Sequence, residues 1–192
     1  MTPRWVMKVL AVVALLIALI IAVSRGLERL FAPPPAEREA AAAQTAPAAI
    51  PHITATLFYG TQDGQALEGV RREVPLAEGS VAQGRLILAS QMEAAPTGYV
   101  SVIPPGTAVR AFYVTGGGDA FVDLSPEVSA NHPGGSSAEL LTVAAIVNAV
   151  TANLPAIRRV QILIDGKEVD TLAGHIDLRR PLERDTSLVR SR

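Results

Sequence analysis

The chain has 192 residues, with 17 Lys+Arg against 18 Asp+Glu, three His, no Cys, 49% hydrophobic and 4% aromatic residues. A formal charge of −1 excludes the dense cationic surface that nucleic-acid binding by counterion release needs. The lack of Cys excludes disulfides, thiolate nucleophiles and Cys-ligated zinc or iron–sulfur sites, and the length fits one domain plus attachments.

Val9 to Val23 is an uncharged apolar run, and Trp5 to Val23 extends it to nineteen residues broken only by Lys8. That is about the length a helix needs to cross the hydrocarbon core of a bilayer. Lys8 can snorkel to the headgroups and Trp5 suits the interface. A cleaved signal peptide is the alternative, with Arg4 and Lys8 as its basic end. Arg25, Glu28 and Arg29 stand where small residues would mark cleavage, which favours an uncleaved anchor over residues 1–31. Cations flank both ends of the run, so charge counting leaves its orientation open. Residues 32–51 hold nine Ala and five Pro. A linker of this composition reaches up to roughly 60 Å at about 3.1 Å per residue, and a short helix over 36–44 would shorten it.

The folded part begins at residue 52. Ile53–Tyr59 alternates and then meets Gly60-Thr61-Gln62-Asp63-Gly64, a strand and a turn. Val70–Leu76 reads as a weaker strand, which Pro75 restricts to a sheet edge or a strand end. Ser80 and Gln83 have capping-box spacing ahead of a helix over Val81–Met92, in which Gly84 costs about 1 kcal/mol relative to Ala. After Ile103-Pro-Pro-Gly106, Thr107–Val114 and Asp119–Leu124 form a hairpin around Gly116-Gly117-Gly118, with Ala120, Val122 and Leu124 facing the core. Ser136 and Glu139 form a second capping box. Leu140, Val143, Val147, Val150 and Leu154 then make an apolar helical stripe, with Ala145, Asn148, Ala149 and Ala152 opposite. Val160–Ile164, Asp165-Gly166 and Lys167–Val169 give the strongest hairpin signal, a type I′ turn. The element order predicts an α+β fold, a small mostly antiparallel sheet with two helices packed on one face, preceded by one transmembrane helix.

Several side chains invite chemistry. His175-Ile176-Asp177 would supply half a metal site if extended, but His52, His132 and His175 share no ligand spacing, so no metal residue is assigned. A phosphate loop at Gly116–Gly118 would need a helix after it, and a strand follows. Asn131–Ser137 precedes the best helix and could cradle an anion at its start, but capping by Ser136 already accounts for the serine and the loop for the glycines. No serine lies on a G-x-S-x-G elbow, so no catalytic residue and no cofactor site is assigned. Arg179, Arg180, Arg184, Arg190 and Arg192 give a mildly basic tail, read as solvated.

Ile53–Tyr59 with Asp63, Arg72–Leu76, Ile103–Thr107, Ala120–Ser125, Ala138–Leu141 with Ile146–Asn148, Val160–Lys167 and Gly174–Leu178 together resemble a GerMN domain. The match runs in order over about residues 53–182. The resemblance implies an extracytoplasmic domain on a lipoprotein or single-span anchor. It implies a fold similar to the small ring-building modules of sporulation and secretion channels, and no catalytic residues. It also supplies the orientation, with the amino terminus inside and the domain outside. Without Cys the chain cannot carry a lipid on an amino-terminal cysteine, and it has one such unit where some relatives have two.

The layout expected is therefore an anchor with flanks over 1–31, a linker over 32–51, a GerMN-like domain over 52–182 and a tail over 183–192. The expected function is a non-enzymatic assembly or scaffold role in the cell envelope, linked to sporulation or germination. Its partners are another protein or a second copy, the membrane through residues 5–23, and no nucleic acid. A tethered glycan-binding module touching peptidoglycan is the alternative, with Phe58, Tyr59, Tyr99, Phe112, Tyr113 and Phe121 as the available aromatic platforms.

Overall fold

The structure is a computed structural model that describes residues 15–17, 19–25 and 50–190. It has two compact units, Met1–Ala49 and Ile50–Arg192. In the first unit residues 15–17 and 19–25 are helical. Among the described residues no helix is long and apolar enough to cross a membrane. The remainder of the span expected over 5–23, and the linker up to residue 49, lie outside the described residues.

The second unit opens with strands β1 (His52–Gly60) and β2 (Leu67–Pro75), an antiparallel ladder running from His52 opposite Pro75 to Gly60 opposite Leu67. Pro75 sits at the strand end, where its missing N–H costs no ladder bond. Asp63 holds the connecting turn. It accepts from the Thr61 hydroxyl, the Gln65 N–H and Arg190, which together push its pKa down to about 2.

The edge of β1 that faces away from β2 is also closed. Thr56 donates to Asn153 Oδ1 at 2.8 Å and accepts from Asn153 Nδ2 at 2.7 Å. Phe58 does the same with the carboxamide of Gln91, at 2.7 Å both ways. Gly60 exchanges backbone bonds with Val100 at 2.8 and 2.9 Å. Gln91 and Asn153 are the last residues of helices α1 (Gly79–Gln91) and, with α2 (Glu127–Ala130) between them in the chain, α3 (Ser136–Asn153). Each helix thus ends by acting as a short extra strand beside β1.

Strands β3 (Val109–Val114), β4 (Asp119–Leu124), β5 (Arg159–Ile164), β6 (Lys167–Glu168) and β7 (Leu182–Glu183) form the second sheet. Its order is β3-β4-β5-β6, with β7 also beside β5. Two features depart from the expectation of one mostly antiparallel sheet. There are two sheets, and β4 runs parallel to β5, Ala120 opposite Val160 and Val122 opposite Ile162. A strand–helix–strand connection as long as 125–158 permits parallel pairing, which a short hairpin forbids. The β5–β6 turn is as expected, with Asp165 at φ 52° and Gly166 at φ 73°, the two positive angles of a type I′ turn.

Both long helices touch both sheets. Residues 141–150 of α3 are consequently buried all round, Ala145, Asn148 and Ala149 at 0% exposure, while Leu140 is only half-buried. The expected one-sided stripe is thus a helix enclosed between layers. The small residues admit the β1–β2 ladder on the face the sequence left open. Asn148 there pairs with the backbone of Asp185, donating at 2.6 Å and accepting at 3.0 Å. The first capping box does not form either: Glu78 is the N-cap without a side-chain bond, and Gln83 bridges the Ala77 N–H and the Pro75 carbonyl at 2.8 and 3.1 Å.

Gly84 explains itself in this packing. A Cβ built there would stand 2.5 Å from Cζ of Phe112, a buried ring of β3. Gly84→Ala gains helix propensity but overpacks that contact, and we expect a net loss of about 1–3 kcal/mol in denaturant unfolding. An unchanged or raised midpoint would show that the ring gives way freely. Tyr59 is fully buried, with its ring centroid 6.3 Å from that of Tyr99, and its hydroxyl has no hydrogen-bond partner among the described residues. Burial pushes its pKa up. Tyr59→Phe is expected to leave stability unchanged or raise it by up to about 1 kcal/mol, and a clear loss in the same measurement would contradict the orphaned hydroxyl.

Candidate functional site

The amino end of α3 gathers several of the side chains that the sequence singles out. Asn131–Gly135 leads into the helix through Gly134 at φ 81° and Gly135 at φ 87°. Gly135 is therefore the N-cap, and Ser136 becomes the first helical residue without capping it. The capping box expected from Ser136 and Glu139 is replaced by a longer-range contact. Glu139, at 0% exposure, accepts from the N–H groups of Leu172 and Ala173 on Oε1 at 2.8 and 2.9 Å and from that of His175 on Oε2 at 2.8 Å. Nδ1 of His175 stands 3.1 Å from the same Oε2. Burial by itself would raise the carboxyl pKa. The backbone donors of Ala173, His175, Ile176 and Leu172 outweigh it and hold the value below the ordinary 4.5.

A carboxylate–imidazole pair is two-thirds of a nucleophile-activating triad, and the missing third is a hydroxyl on the distal ring nitrogen. Among the described residues no hydroxyl hydrogen-bonds His175 Nε2. Thr171 Oγ1 accepts from Gly174 N–H, and Ser129 Oγ donates to the Leu172 carbonyl at 2.8 Å. The Thr171 and Ser129 hydroxyls thus stabilise the 171–175 loop. Asp177 does not join His175, because the segment is not extended. It forms a two-pronged pair with Arg179 at 2.9 and 2.7 Å, and that hydrogen-bonded guanidinium drives its pKa far down. Among the described residues no group of three or more His, Asp or Glu side chains has metal-binding geometry.

A groove of about 740 Å³ runs beside this helix start, between Ser101–Pro105 and Asn131–Thr142. Several of its polar side chains are bonded internally. Asn131 donates to Pro105 O at 2.9 Å, and Thr142 donates to Val102 O at 2.5 Å. His132 accepts the Gly134 N–H on Nδ1 at 3.0 Å, which leaves Nε2 to carry the proton toward Thr142 Oγ1 at 3.2 Å. The lining is proline, glycine, aliphatic and hydroxyl residues with the Asn131 carboxamide, and holds no aromatic residue. His52 lies exposed at the start of β1.

The remaining sequence candidates serve the frame. Gly116–Gly118 turns the β3–β4 hairpin, where Arg158 donates to Gly117 O at 2.6 Å. Of the tail arginines, Arg190 ties down the first turn: it pairs with Asp63 at 3.0 Å, and its N–H donates to Leu67 O at 2.8 Å. Arg192 lies outside the described residues. Phe58, Tyr59 and Phe112 are buried, Tyr99 and Phe121 half-buried, and Tyr113 is 60% exposed on β3. The residues that sequence reasoning missed are Gln91, Asn153 and the ligation of Glu139 by a distant loop. Only the burial of polar groups on helices in contact with strands could have signalled them.

The buried carboxylate makes stability depend on pH in a defined direction. With the folded pKa of Glu139 below its unfolded value, its contribution is complete above 4.5 and is lost as pH falls through the folded value. Glu139→Gln should cost at least about 2 kcal/mol at pH 7 and flatten the acid limb of stability against pH. An acid limb identical to that of the parent would disprove this role.

These geometries can be set beside known proteins. The family model Germane, described as sporulation and spore germination, matches residues 56–170, more than half of the chain. A search of curated proteins finds no significant match. Among solved structures, a chain assigned as a lipoprotein from Clostridium perfringens is 24% identical with a TM-score of 0.50, covering 73% of this chain and 93% of that one. The tandem GerMN domains of the sporulation protein GerM from Bacillus subtilis are 18% identical with a TM-score of 0.53, covering 70% of this chain and 46% of that one. The chain thus spans less than half of the tandem structure, and at these identities both likenesses concern the fold. With its strand, helix and hairpin order intact across the matched region, the chain belongs to the Germane family of sporulation and spore-germination domains.

Proposed function

We propose that this chain is a membrane-anchored, extracytoplasmic assembly domain of the cell envelope, linked to sporulation or germination, that works by binding protein rather than by catalysis. Residues 1–31 form the anchor with its flanks, 32–51 the spacer, 52–182 the domain and 183–192 its tail, with the amino terminus inside. The observation that carries the reading is the use made of the polar interior. Glu139, Gln91, Asn148 and Asn153 are all bonded to backbone, and among the described residues no ionisable pair beside the groove is joined to a nucleophile. What the domain offers outward is surface: a groove and the edge of β3.

The anchor is supported by the described part of residues 15–25. Leu15, Leu16, Ile17, Leu19, Ile20, Ile21 and Val23 expose 47 to 71% of their surface on a helix, and apolar exposure of this density marks a lipid or protein contact. The Clostridium perfringens relative is assigned as a lipoprotein. A chain without Cys would replace a lipid anchor by this helix. Peptidoglycan contact gains no support from the aromatic side chains, since none lines the groove.

The test is made on the full-length chain in cells, in two steps. After alkaline carbonate extraction it should stay with the membrane, whereas a variant lacking residues 1–31 should not; a fully extracted parent chain would refute the anchor. Photoreactive residues at Ser137, Tyr113 and Lys167 should then give discrete protein adducts. Their absence from a folded, membrane-held chain would refute the assembly role.

A further inference from the structure

We propose that the outer edge of β3 docks a second copy of this chain, strand against strand and antiparallel about Tyr113. The inference rests on the assembly reading above and names its surface and its partner. It begins from which strand edges are closed. β1 is closed on one side by β2 and on the other by Asn153, Gln91 and Val100. The outer edge of β2 is covered at Leu67, which exchanges backbone bonds of 2.8 Å with Leu188 and Arg190, and at Pro75 by Gln83. The short stretch left between them exposes Arg71 and Glu73, the charged pattern with which edges discourage pairing. β5 carries β6 and β7 on the side away from β4.

β3 differs. It stands at the end of its sheet and pairs with β4 alone. Thr115 N–H donates to Asp119 O at 2.9 Å. Alternation back from that bond points the N–H and C=O of Tyr113 and Ala111 toward β4 and those of Phe112 and Val114 outward. Among the described residues, neither Phe112 nor Val114 has a backbone partner outside β4. Around the pairing centre Phe112, Tyr113 and Val114 are apolar, Arg110 is paired with Asp123 and Asp165 of its own copy, and Tyr113 is the aromatic residue among the exposed large side chains of the described residues.

Self-pairing about Tyr113 is complementary at each step. Phe112 meets Val114 of the second copy in hydrogen-bonded positions, apolar against apolar. Tyr113 meets its own counterpart on the two-fold axis in a non-hydrogen-bonded position, where side chains approach most closely and aromatic pairs are favoured. Phe121, opposite Tyr113 on β4, extends that apolar strip. Arg110 faces Gly116 of the second copy, so no like charges oppose one another. A short edge of this kind binds weakly in solution, and confinement of both copies to one membrane by their tethers raises the effective concentration that it needs.

The chain has no native thiol, so Tyr113→Cys in the full-length protein introduces a single one. On the two-fold axis the paired Cα atoms fall within the about 4.4–6.8 Å that a disulfide spans. Mild oxidation of cells carrying it should give a disulfide-linked homodimer at least about tenfold faster than Arg71→Cys on the β2 edge, whose cross-linking measures random collision. Val114→Pro, which removes an outward N–H and leaves the β4 ladder intact, should reduce the dimer to that background. Charge at Gly116 gives a second, fold-neutral handle, because a Cβ there meets nothing within 4 Å. Gly116→Glu should speed cross-linking by attraction to Arg110 of the second copy, and Gly116→Arg should slow it.

The proposal is overturned if Tyr113→Cys cross-links no faster than Arg71→Cys, if both Gly116 variants cross-link alike, or if the cysteine captures a different protein. Photo-adducts from Ser137 or Lys167 alongside any of those results would remove this docking surface and leave the assembly reading standing. Failure of both experiments would remove both.

Discussion

Gln91 and Asn153 each take the N–H and the C=O of one residue of β1, and the domain's layering depends on that exchange. A two-stranded ladder leaves half of its backbone groups facing outward. Where such groups are buried, each one left unbonded costs about 1–3 kcal/mol. Phe58 and the residues around it are buried, so water cannot serve them. A carboxamide presents a donor and an acceptor in the same plane, the pattern an adjoining strand would present. Because both amides are the terminal residues of their helices, the same bonds that satisfy β1 also fix where α1 and α3 end. Helix register, strand edge and core closure are therefore one constraint.

Glu139 extends the rule to a charged group. Its two oxygens gather the N–H groups of a loop with no regular partners of its own, and they do so from inside the core. The geometry resembles a catalytic dyad only because a histidine contributes both its N–H and its ring. Taken as a whole, the carboxylate is an anchor for backbone donors, and its lowered pKa reflects that. Other ion pairs, among them Arg159 with Asp119, Arg179 with Asp177 and Arg190 with Asp63, lie at the surface. Pairs of that kind add little to stability and serve mainly to orient turns.

The sequence showed local structure well and enclosure poorly. Asp165-Gly166 made its turn legible because backbone angles of that kind are costly for other residues, and Asp119–Leu124 was legible by alternation. Residues 136–153 were legible as a helix but not as a buried one. Periodicity reports a difference between faces, and here the second face is filled by Ala145 and Ala149 against a separate ladder. The parallel β4–β5 pairing follows from a long helical crossover, a cue present in the element order that the hairpins on either side obscured. The bonds of Gln91, Asn153 and Glu139 were not legible, because an amide or carboxylate near a helix end looks alike whether it faces water or a strand 30 to 100 residues away. The candidate site suffered for the same reason: capping spacing at Ser136 and Glu139 is a local pattern, and the contact that won is long-range.

Closure of edges also orders the surfaces by what they can do. An edge covered by an amide from its own chain is rigid and already bonded, so a newcomer must break a bond to enter. An edge bearing Arg71 and Glu73 keeps water, so a newcomer must strip charges. An edge with outward backbone groups and apolar side chains asks for neither, since its N–H and C=O exchange water for a strand at little net cost and its side chains gain by burial. In this fold that combination occurs at residues 112–114 of β3, whose inner face is held against α1 by the contact of Phe112 with Gly84. The edge is thus presented by a strand that cannot easily move. A preorganised strand loses little freedom on pairing, which lets a small surface on a tethered domain act as an interface.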